Sequence, residues 1–423
     1  MEKELVITVP TQIKDNLNIG NIYEFILADF YTKIKKMQGK DVEFGVIWNT
    51  NGKLIEEAII EKNGTFLREE AQALVFDMIK SSNRTMNRFF IEPDFQIRDD
   101  MIQKELESCI NNKYVSIIEN ELADIAICSR CGAEFGSDIS VTTCKYCGAE
   151  VRTIKKNTLF IMAERTALIE KIEKTSFYPD GCRKRLSELI NKLPSEYKII
   201  LEKNRKYTLS YEDYKLDPRF VTIFTLPIIK KQRKKKYDIV TVFQGDVVKK
   251  YDYYAFAYLE KDDCPTNIFM HGLVTDNKKK KLRWRSEDLS TNEKVFPGVK
   301  SKEFRAFLLK HNIVGNIMLD ENTLEKEVKE QVNLFITMKR LLEDRNLDSS
   351  LRGIREELKG FYDEFILNAN KMRLYEAYKC MYSYIFTCWK LVKNSKLSLD
   401  EQQLVTEYMT LYYGKSCNAN SEH

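Results

Sequence analysis

Four cysteines, Cys128, Cys131, Cys144 and Cys147, constrain what this chain can fold into more than any other feature of its sequence. They form two Cys-x-x-Cys knuckles, each followed by a glycine, Gly132 and Gly148, with twelve residues between the pairs. Each pair offers two thiolates to one ion. The glycine lets the chain turn back without a Cβ clash, and the short loop brings the pairs together for tetrahedral Zn–S bonding at about 2.3 Å. The spacing is that of a zinc ribbon, so one closed structural zinc site is expected, with two disulfides or two unrelated pairs as the alternatives. The six other cysteines are scattered, which fits a reducing compartment better than a disulfide scaffold.

A chain of 423 residues is expected to form two or three domains, each with room for its own core. No apolar run reaches membrane-spanning length and the start, Met1-Glu-Lys-Glu, has no secretory pattern, so a cytoplasmic protein is the expectation. The net charge of +5 is modest but uneven, with dense basic runs at 230–236 and 278–285. Such runs meet phosphate in some proteins and are plain solvated loops in others.

Taken in order, Leu5 to Val9 alternate as a strand. A polar loop follows, and from Gly20 to Met37 the apolar residues Ile22, Phe25, Ile26, Phe30 and Ile34 share one helical face. A second strand spans Val42 to Trp48. Strand, loop, helix, strand is a βαβ unit, and it predicts a parallel sheet with a ligand site at the strands' C-terminal edge. Leu67 to Glu121 reads as mainly helical, Leu159 to Met162 as a short strand, and Thr166 to Lys174 and Cys182 to Leu193 as helices. Tyr197 to Pro227 carries no clear pattern. Strands at Asp238 to Phe243 and Asn267 to Val274, with a helix-like Tyr251 to Leu259 between, look like the other half of an α/β sheet. From Ser301 on, the pattern is that of a helical bundle, with Ser398 capping its last helix. The expected organisation is a Rossmann-like parallel-sheet domain in two halves, 1–126 and 151–300, split by a zinc-knuckle insertion at 127–150, then an all-α bundle at 301–423.

Several stretches resemble class I aminoacyl-tRNA synthetases. Leu17-Asn-Ile-Gly-Asn21, opening a long helix after the first strand, is similar to their first signature, His-x-Gly-His. Trp48-Asn-Thr-Asn-Gly52 is similar to the loop whose aspartate holds the substrate ammonium in the methionine, isoleucine and leucine enzymes. Phe243-Gln-Gly-Asp-Val-Val and Asn267-Ile-Phe-Met-His-Gly-Leu-Val274 resemble the two strand regions before the second signature, Lys-Met-Ser-Lys-Ser. The zinc insertion and the bundle complete a match over the whole chain, and the methionyl type fits best.

The resemblance implies nucleotide contacts from Asn18, Gly20, Asn21, His271, Gly272 and Lys281. It implies catalytic roles for Asn18, Asn21 and Lys281, and substrate contacts from Pro10, Thr11, Asn49 and Asp252. It further implies ATP with Mg as substrate, an amino acid, and tRNA. The departures are chemical. Asparagines 18 and 21 stand where the signature has histidines, Asn49 where it has the aspartate, and Asn51 where a histidine is usual. Losing a charge-assisted hydrogen bond to the substrate ammonium costs about 1.5–3 kcal/mol, one to two decades in affinity. Lys281-Leu-Arg-Trp-Arg285 replaces the second signature, with Trp284 in place of its second lysine. Each lost contact of that kind costs roughly 10²–10³ in rate.

Two readings follow. The first is a synthetase-like paralogue with reduced or altered amino-acid activation that keeps nucleotide, tRNA or protein-partner binding. The second is an active ligase that adenylates a different acid and transfers it to tRNA or an amine. Asp246 or Asp252 is the first place to seek a substitute for the missing carboxylate. In the bundle, Lys339, Arg340, Arg352, Arg355, Lys371 and Arg373 are the candidate tRNA contacts. His311 is expected to pack at a helix end.

Overall fold

The computed structural model describes residues 2–13, 17–111, 117–135, 140–144, 147–200, 202, 205–218, 221–245, 265–275, 301–312, 314–319, 321–342 and 347–413. The first half runs β1 (Lys3–Thr8), β2 (Thr11–Gln12), α1 (Ile19–Met37), β3 (Asp41–Asn49), α2 (Lys53–Asn63), α3 (Arg68–Arg88), β4 (Phe95–Arg98) and α4 (Asp99–Asn111). The middle comprises β5 (Ile117–Cys128), β6 (Val151–Glu164), α5 (Arg165–Lys174), β7 (Ser176–Tyr178), α6 (Gly181–Asn191), β8 (Glu196–Ile200), β9 (Ser210–Tyr211) and β10 (Tyr214–Lys215). Then come α7 (Val221–Arg233), β11 (Ile239–Gly245), β12 (Asn267–His271) and β13 (Val274–Thr275).

The central sheet is parallel throughout, in the order β4, β3, β1, β11, β12, β7, with β2 continuing the line of β1 along β3. Its strands alternate between two cores, as the two-residue period of a strand requires. Val6, Phe44, Val46, Trp48, Phe243 and Phe269 face α1, while Leu5, Ile7, Ile47, Ile97, Val240 and Val242 face α4 and α7. A third cluster packs Leu168, Ile172, Leu186 and Ile190 of α5 and α6 on Phe177, Ile268 and Met270. The chain passes from β1 to β3 on one side and reaches β11 on the other, so the crevice between β1 and β11 is the topological switch point.

α1 is buried almost all round because it is covered on both flanks. Its sheet-facing side meets β1, β3 and β11. Its far side meets the helical region, made of α8 (Ser301–Leu309), β14 (Ile317–Met318), α9 (Glu321–Leu341), β15 (Leu347–Asp348), α10 (Glu356–Asn370), α11 (Leu374–Leu391), β16 (Leu397–Ser398) and α12 (Leu399–Tyr413). One continuous apolar core runs from Phe25, Ile26 and Phe30 into Phe304, Tyr384, Tyr408 and Tyr412, each such side chain contributing about 1.5–3 kcal/mol on burial. Among the described residues, one cation lies within it. Arg305, 0% exposed, bonds Asp29 of α1 at 2.5 Å and the carbonyls of Phe89 at 3.1 Å and Leu411 at 3.4 Å. Ser398 caps α12 as its sequence predicts: its Oγ accepts from Glu401 N at 3.1 Å and its N–H donates to Glu401 Oε2 at 2.9 Å, a reciprocal capping box.

The helical reading of Leu67 to Glu121 is corrected at its end, because Ile117–Cys128 is a strand paired along its length with β6. The short strand read at Leu159 to Met162 is the end of the longer β6. The patternless Tyr197 to Pro227 holds β8, a β9–β10 hairpin and the start of α7, with Pro227 inside that helix. The stretch read as helix at Tyr251 to Leu259 and the second-signature region, including Asp246, Asp252, Lys281, Arg283, Trp284 and Arg285, lie outside the described residues.

Candidate functional site

The zinc element is the firmest part of the site chemistry. β5 and β6 form a long antiparallel ribbon, widened by β8, and both knuckles sit at its tip. They repeat one pattern. Gly132 N and Gly148 N donate to the carbonyls of Cys128 and Cys144 at 3.2 and 2.8 Å, and both glycines hold positive φ, +66° and +71°. The sulfurs of Cys128 and Cys147 are 3.4 Å apart, those of Cys131 and Cys144 3.7 Å, and all four lie within 4.8 Å of one another. Tetrahedral bonding at about 2.3 Å would place sulfurs about 3.8 Å apart, so the four fit one zinc ion. N–H groups of Cys131 and Arg130 point at Cys128 Sγ and hold that thiol down at about 6. Cys131 receives an N–H from Ala133, yet the neighbouring sulfurs push it up to about 11. Four thiolates this close repel one another unless a dication sits among them, which is the chemistry of a closed zinc site.

The second centre is the C-terminal edge of the sheet at the switch point. Asn18 caps α1, its Oδ1 accepting from Asn21 N at 2.9 Å, so its side-chain oxygen is engaged by the helix. One turn on, Tyr23 and Glu24 are buried beneath the strand ends. Tyr23 meets the His271 ring edge-on at 5.0 Å, and Glu24 Oε2 lies 3.5 Å from His271 Nε2. His271 Nδ1 donates to Gly272 O at 2.9 Å, which leaves Nε2 facing the Glu24 carboxylate. His271 and Gly245 are register partners at the ends of β12 and β11. Helix start and strand ends thus converge on one place. Burial, with Tyr178 nearby, pushes the Tyr23 phenol far above its ordinary value.

Among the described residues, the buried polar atoms on these elements that make no hydrogen bond include Thr8 Oγ1 at the end of β1, Gln244 Oε1 near the end of β11, His271 Nε2 and Tyr23 Oη, with the Glu24 carboxylate beside them. Buried polar groups without partners are rare, and a cluster at the mouth of a parallel sheet is what a polar ligand satisfies. Thr8 and Tyr23 have no part in the sequence reading, although a polar residue at the last position of a buried parallel strand was a usable signal.

The third element is the loop after β3. Asn49 is held there on both sides of its amide, its Nδ2 donating to Pro218 O at 3.0 Å and its Oδ1 accepting from Asn51 N at 3.2 Å. Gly52 adopts φ +111°, donates to Tyr207 O at 3.0 Å and opens α2. The 205–218 segment is thereby clamped over the loop. Thr11 is buried, pairs with Trp48 in register and bonds back to Val9 O, with Pro10 beside it at the β1–β2 break. Gly272 answers to packing: a Cβ there would sit 1.9 Å from Gly315 O, where the turn leading into β14 crosses.

Much of the basic character has internal partners. In the run 230–236, Lys231 pairs with Glu105, and Arg233 and Lys235 pair with Glu43, to which Tyr237 also donates. In the helical region Arg355 makes a two-pronged pair with Glu401 at 2.7 and 2.8 Å and bonds Lys396 O, so it braces the bundle. Arg352 turns onto the Ser349 and Leu351 carbonyls, whereas Lys371 and Arg373 are exposed. His311 sits half-buried at the end of α8, donating to Phe307 O at 2.8 Å.

A parallel sheet with a helix start poised over its switch point places the chain in the class of doubly wound nucleotide-binding proteins. Its family is narrower. The family model for class I tRNA synthetases of the M type matches residues 5–219, and the chain belongs to that family. Among solved structures, Mycobacterium tuberculosis methionyl-tRNA synthetase in complex with methionyl-adenylate is similar at 14% identity and TM-score 0.68, covering 98% of this chain and 89% of that one. The ternary complex of Agrobacterium radiobacter K84 agnB2 LeuRS with tRNA and LeuAMS is similar at 9% identity and TM-score 0.71, covering 97% and 83%. No curated protein sequence matches.

Proposed function

We propose that this chain is a divergent paralogue of the methionyl-type synthetases that binds ATP at the β1–β11 edge and activates ordinary amino acids weakly or with altered specificity. The observation that carries the reading is Asn49. It stands where the resemblance calls for a carboxylate, it is uncharged, and both its polar atoms are already held by Pro218 and Asn51. An ammonium arriving there finds no ion pair. Asn18, similarly, is engaged in capping α1. Retained nucleotide binding is supported by the unpartnered Thr8, Gln244, Tyr23 and His271 atoms, which a ribose, adenine or phosphate would satisfy. Gly20 at the start of α1 offers the phosphates a backbone N–H beside the positive end of the helix, and Asn21, whose N–H is taken by Asn18, offers its side-chain amide. The family resemblance adds Lys281 and Asp252 to this centre, and Pro10 and Thr11 to the substrate side.

Zinc held by Cys128, Cys131, Cys144 and Cys147 is structural in this reading and braces the ribbon. Binding of tRNA falls to exposed cations such as Lys371 and Arg373; a protein partner remains a further role for the helical region. The alternative, an active ligase for another acid, is favoured by the intact Gly52 turn and the strand, loop and helix frame. ATP–pyrophosphate exchange against all amino acids separates the two, and strong exchange with any ordinary amino acid would sink the first.

A further inference from the structure

A cavity of about 420 Å³ opens beyond the ends of β3 and β4, beside the Asn49 loop and apart from the β1–β11–β12 edge. Its size is that of a small-ligand site. Arg68, Arg98 and Lys104 line it, with Phe76 and Tyr207 as aromatic walls and Asn51 at the inner end. Among the described residues, no carboxylate lines it. Glu56, whose Oε1 accepts the Tyr207 N–H at 3.0 Å, is absent from the lining.

Two features point to one ligand chemistry. Arg68, Arg98 and Lys104 line one concavity, where partial exclusion of water strengthens their pull on a negative group. Arg68 is the first residue of α3; Glu69 and Glu70 share that first turn and offset the helix's positive end but do not line the cavity. Arg68 also stacks over the Tyr207 ring at 5.9 Å, while Phe76, further along α3, is 61% exposed and lines the cavity with its ring. Cations and aromatic rings lining one concavity suit a flat molecule carrying a carboxylate or phosphate.

We infer that this cavity is a binding site for a small organic anion with a flat apolar body, distinct from the nucleotide edge. The probes are benzoate and phenyl phosphate, with benzyl alcohol as the neutral control, titrated calorimetrically into the full chain with and without ATP. Both anions, or either one, are expected to bind saturably at one per chain, benzyl alcohol at least tenfold more weakly, and ATP to leave the anion's affinity unchanged. Binding by benzoate alone identifies a carboxylate ligand, and by phenyl phosphate alone a phosphate. The double variant Arg68→Gln/Lys104→Gln changes two exposed side chains and is expected to weaken the anion about ten- to hundredfold, with ATP affinity and melting temperature unaltered. The inference is overturned if neither anion saturates, if benzyl alcohol binds as well, if ATP competes, or if the double variant binds as the wild type does. Lost ATP binding alongside retained anion binding would refute the nucleotide reading and leave this site standing.

Discussion

Arg305→Met removes the one described cation in the core that joins α1 to the helical region, and the structure sets the size of the effect. Arg305 is 0% exposed and bonds Asp29, itself 2% exposed. Breaking a buried pair from one side costs about 3–5 kcal/mol, because the remaining charge is left in low dielectric. Here Asp29 is not abandoned: Lys33 Nζ stays 2.9 Å away and Glu92 N donates at 3.3 Å. That places the pair's share at the low end, about 3 kcal/mol. The Phe89 and Leu411 carbonyls also lose their donor. Against this, methionine fills the space and removes the cost of a buried guanidinium. A net loss of about 3 kcal/mol lowers the melting temperature by roughly 6–12 °C for a domain of this order, read by circular dichroism. Adding Asp29→Asn is expected to recover more than half, since the orphaned charge is gone and Lys33, 17% exposed, can turn to water. A loss under 0.5 kcal/mol, or a double variant whose loss is the plain sum of the two single ones, would refute the coupling.

Chelation or Cys144→Ser is expected to release one zinc per chain, measured by elemental analysis, and to lower protection of the β5–β6 ribbon in hydrogen exchange while the parallel sheet keeps its own. Glu43 titrates low: burial alone would raise it, but hydrogen bonds from Lys235, Tyr237 and Arg233 hold it at about 2. With its folded value below the unfolded one, its contribution of order 1–2 kcal/mol is present above about pH 4.5 and fades as pH falls toward 2. Glu43→Gln should therefore destabilise at pH 7 and far less near pH 2 in urea titrations. Asn49→Asp sets a carboxylate oxygen against Pro218 O, now 3.0 Å from Asn49 Nδ2. It is expected to cost about 1–3 kcal/mol of stability and to tighten binding of amino acids about ten- to hundredfold over their N-acetyl derivatives in calorimetry.

The order of elements was legible where periodicity was clean. α1 carries an unbroken apolar face, and β1, β3, β11 and β12 are short apolar runs ending in polar residues. The zinc knuckles and the Ser398 cap were legible because spacing alone specifies them. β5 was not, since Glu119, Glu121 and Asp124 break its apolar alternation, and a ribbon of exposed strands has only a partial core to advertise. Arg305 was missed because its partner lies 276 positions away. Yet a signal existed: Phe304, Ala306, Phe307, Leu308 and Leu309 leave α8 no polar face for an arginine to occupy. The engagement of Asn49 by Pro218 depends on a segment without pattern folding back across the sheet, which no local rule supplies.

We propose that nucleotide binding persists here while ordinary amino-acid activation has been weakened or redirected. ATP–pyrophosphate exchange on the wild-type chain, run with each amino acid beside a direct measurement of ATP binding, tests it most directly. The account predicts saturable ATP binding together with exchange at least 10²-fold below the usual enzymatic range of about 1–10³ s⁻¹ for methionine and every other ordinary amino acid. Methionine-dependent exchange within that range would contradict it.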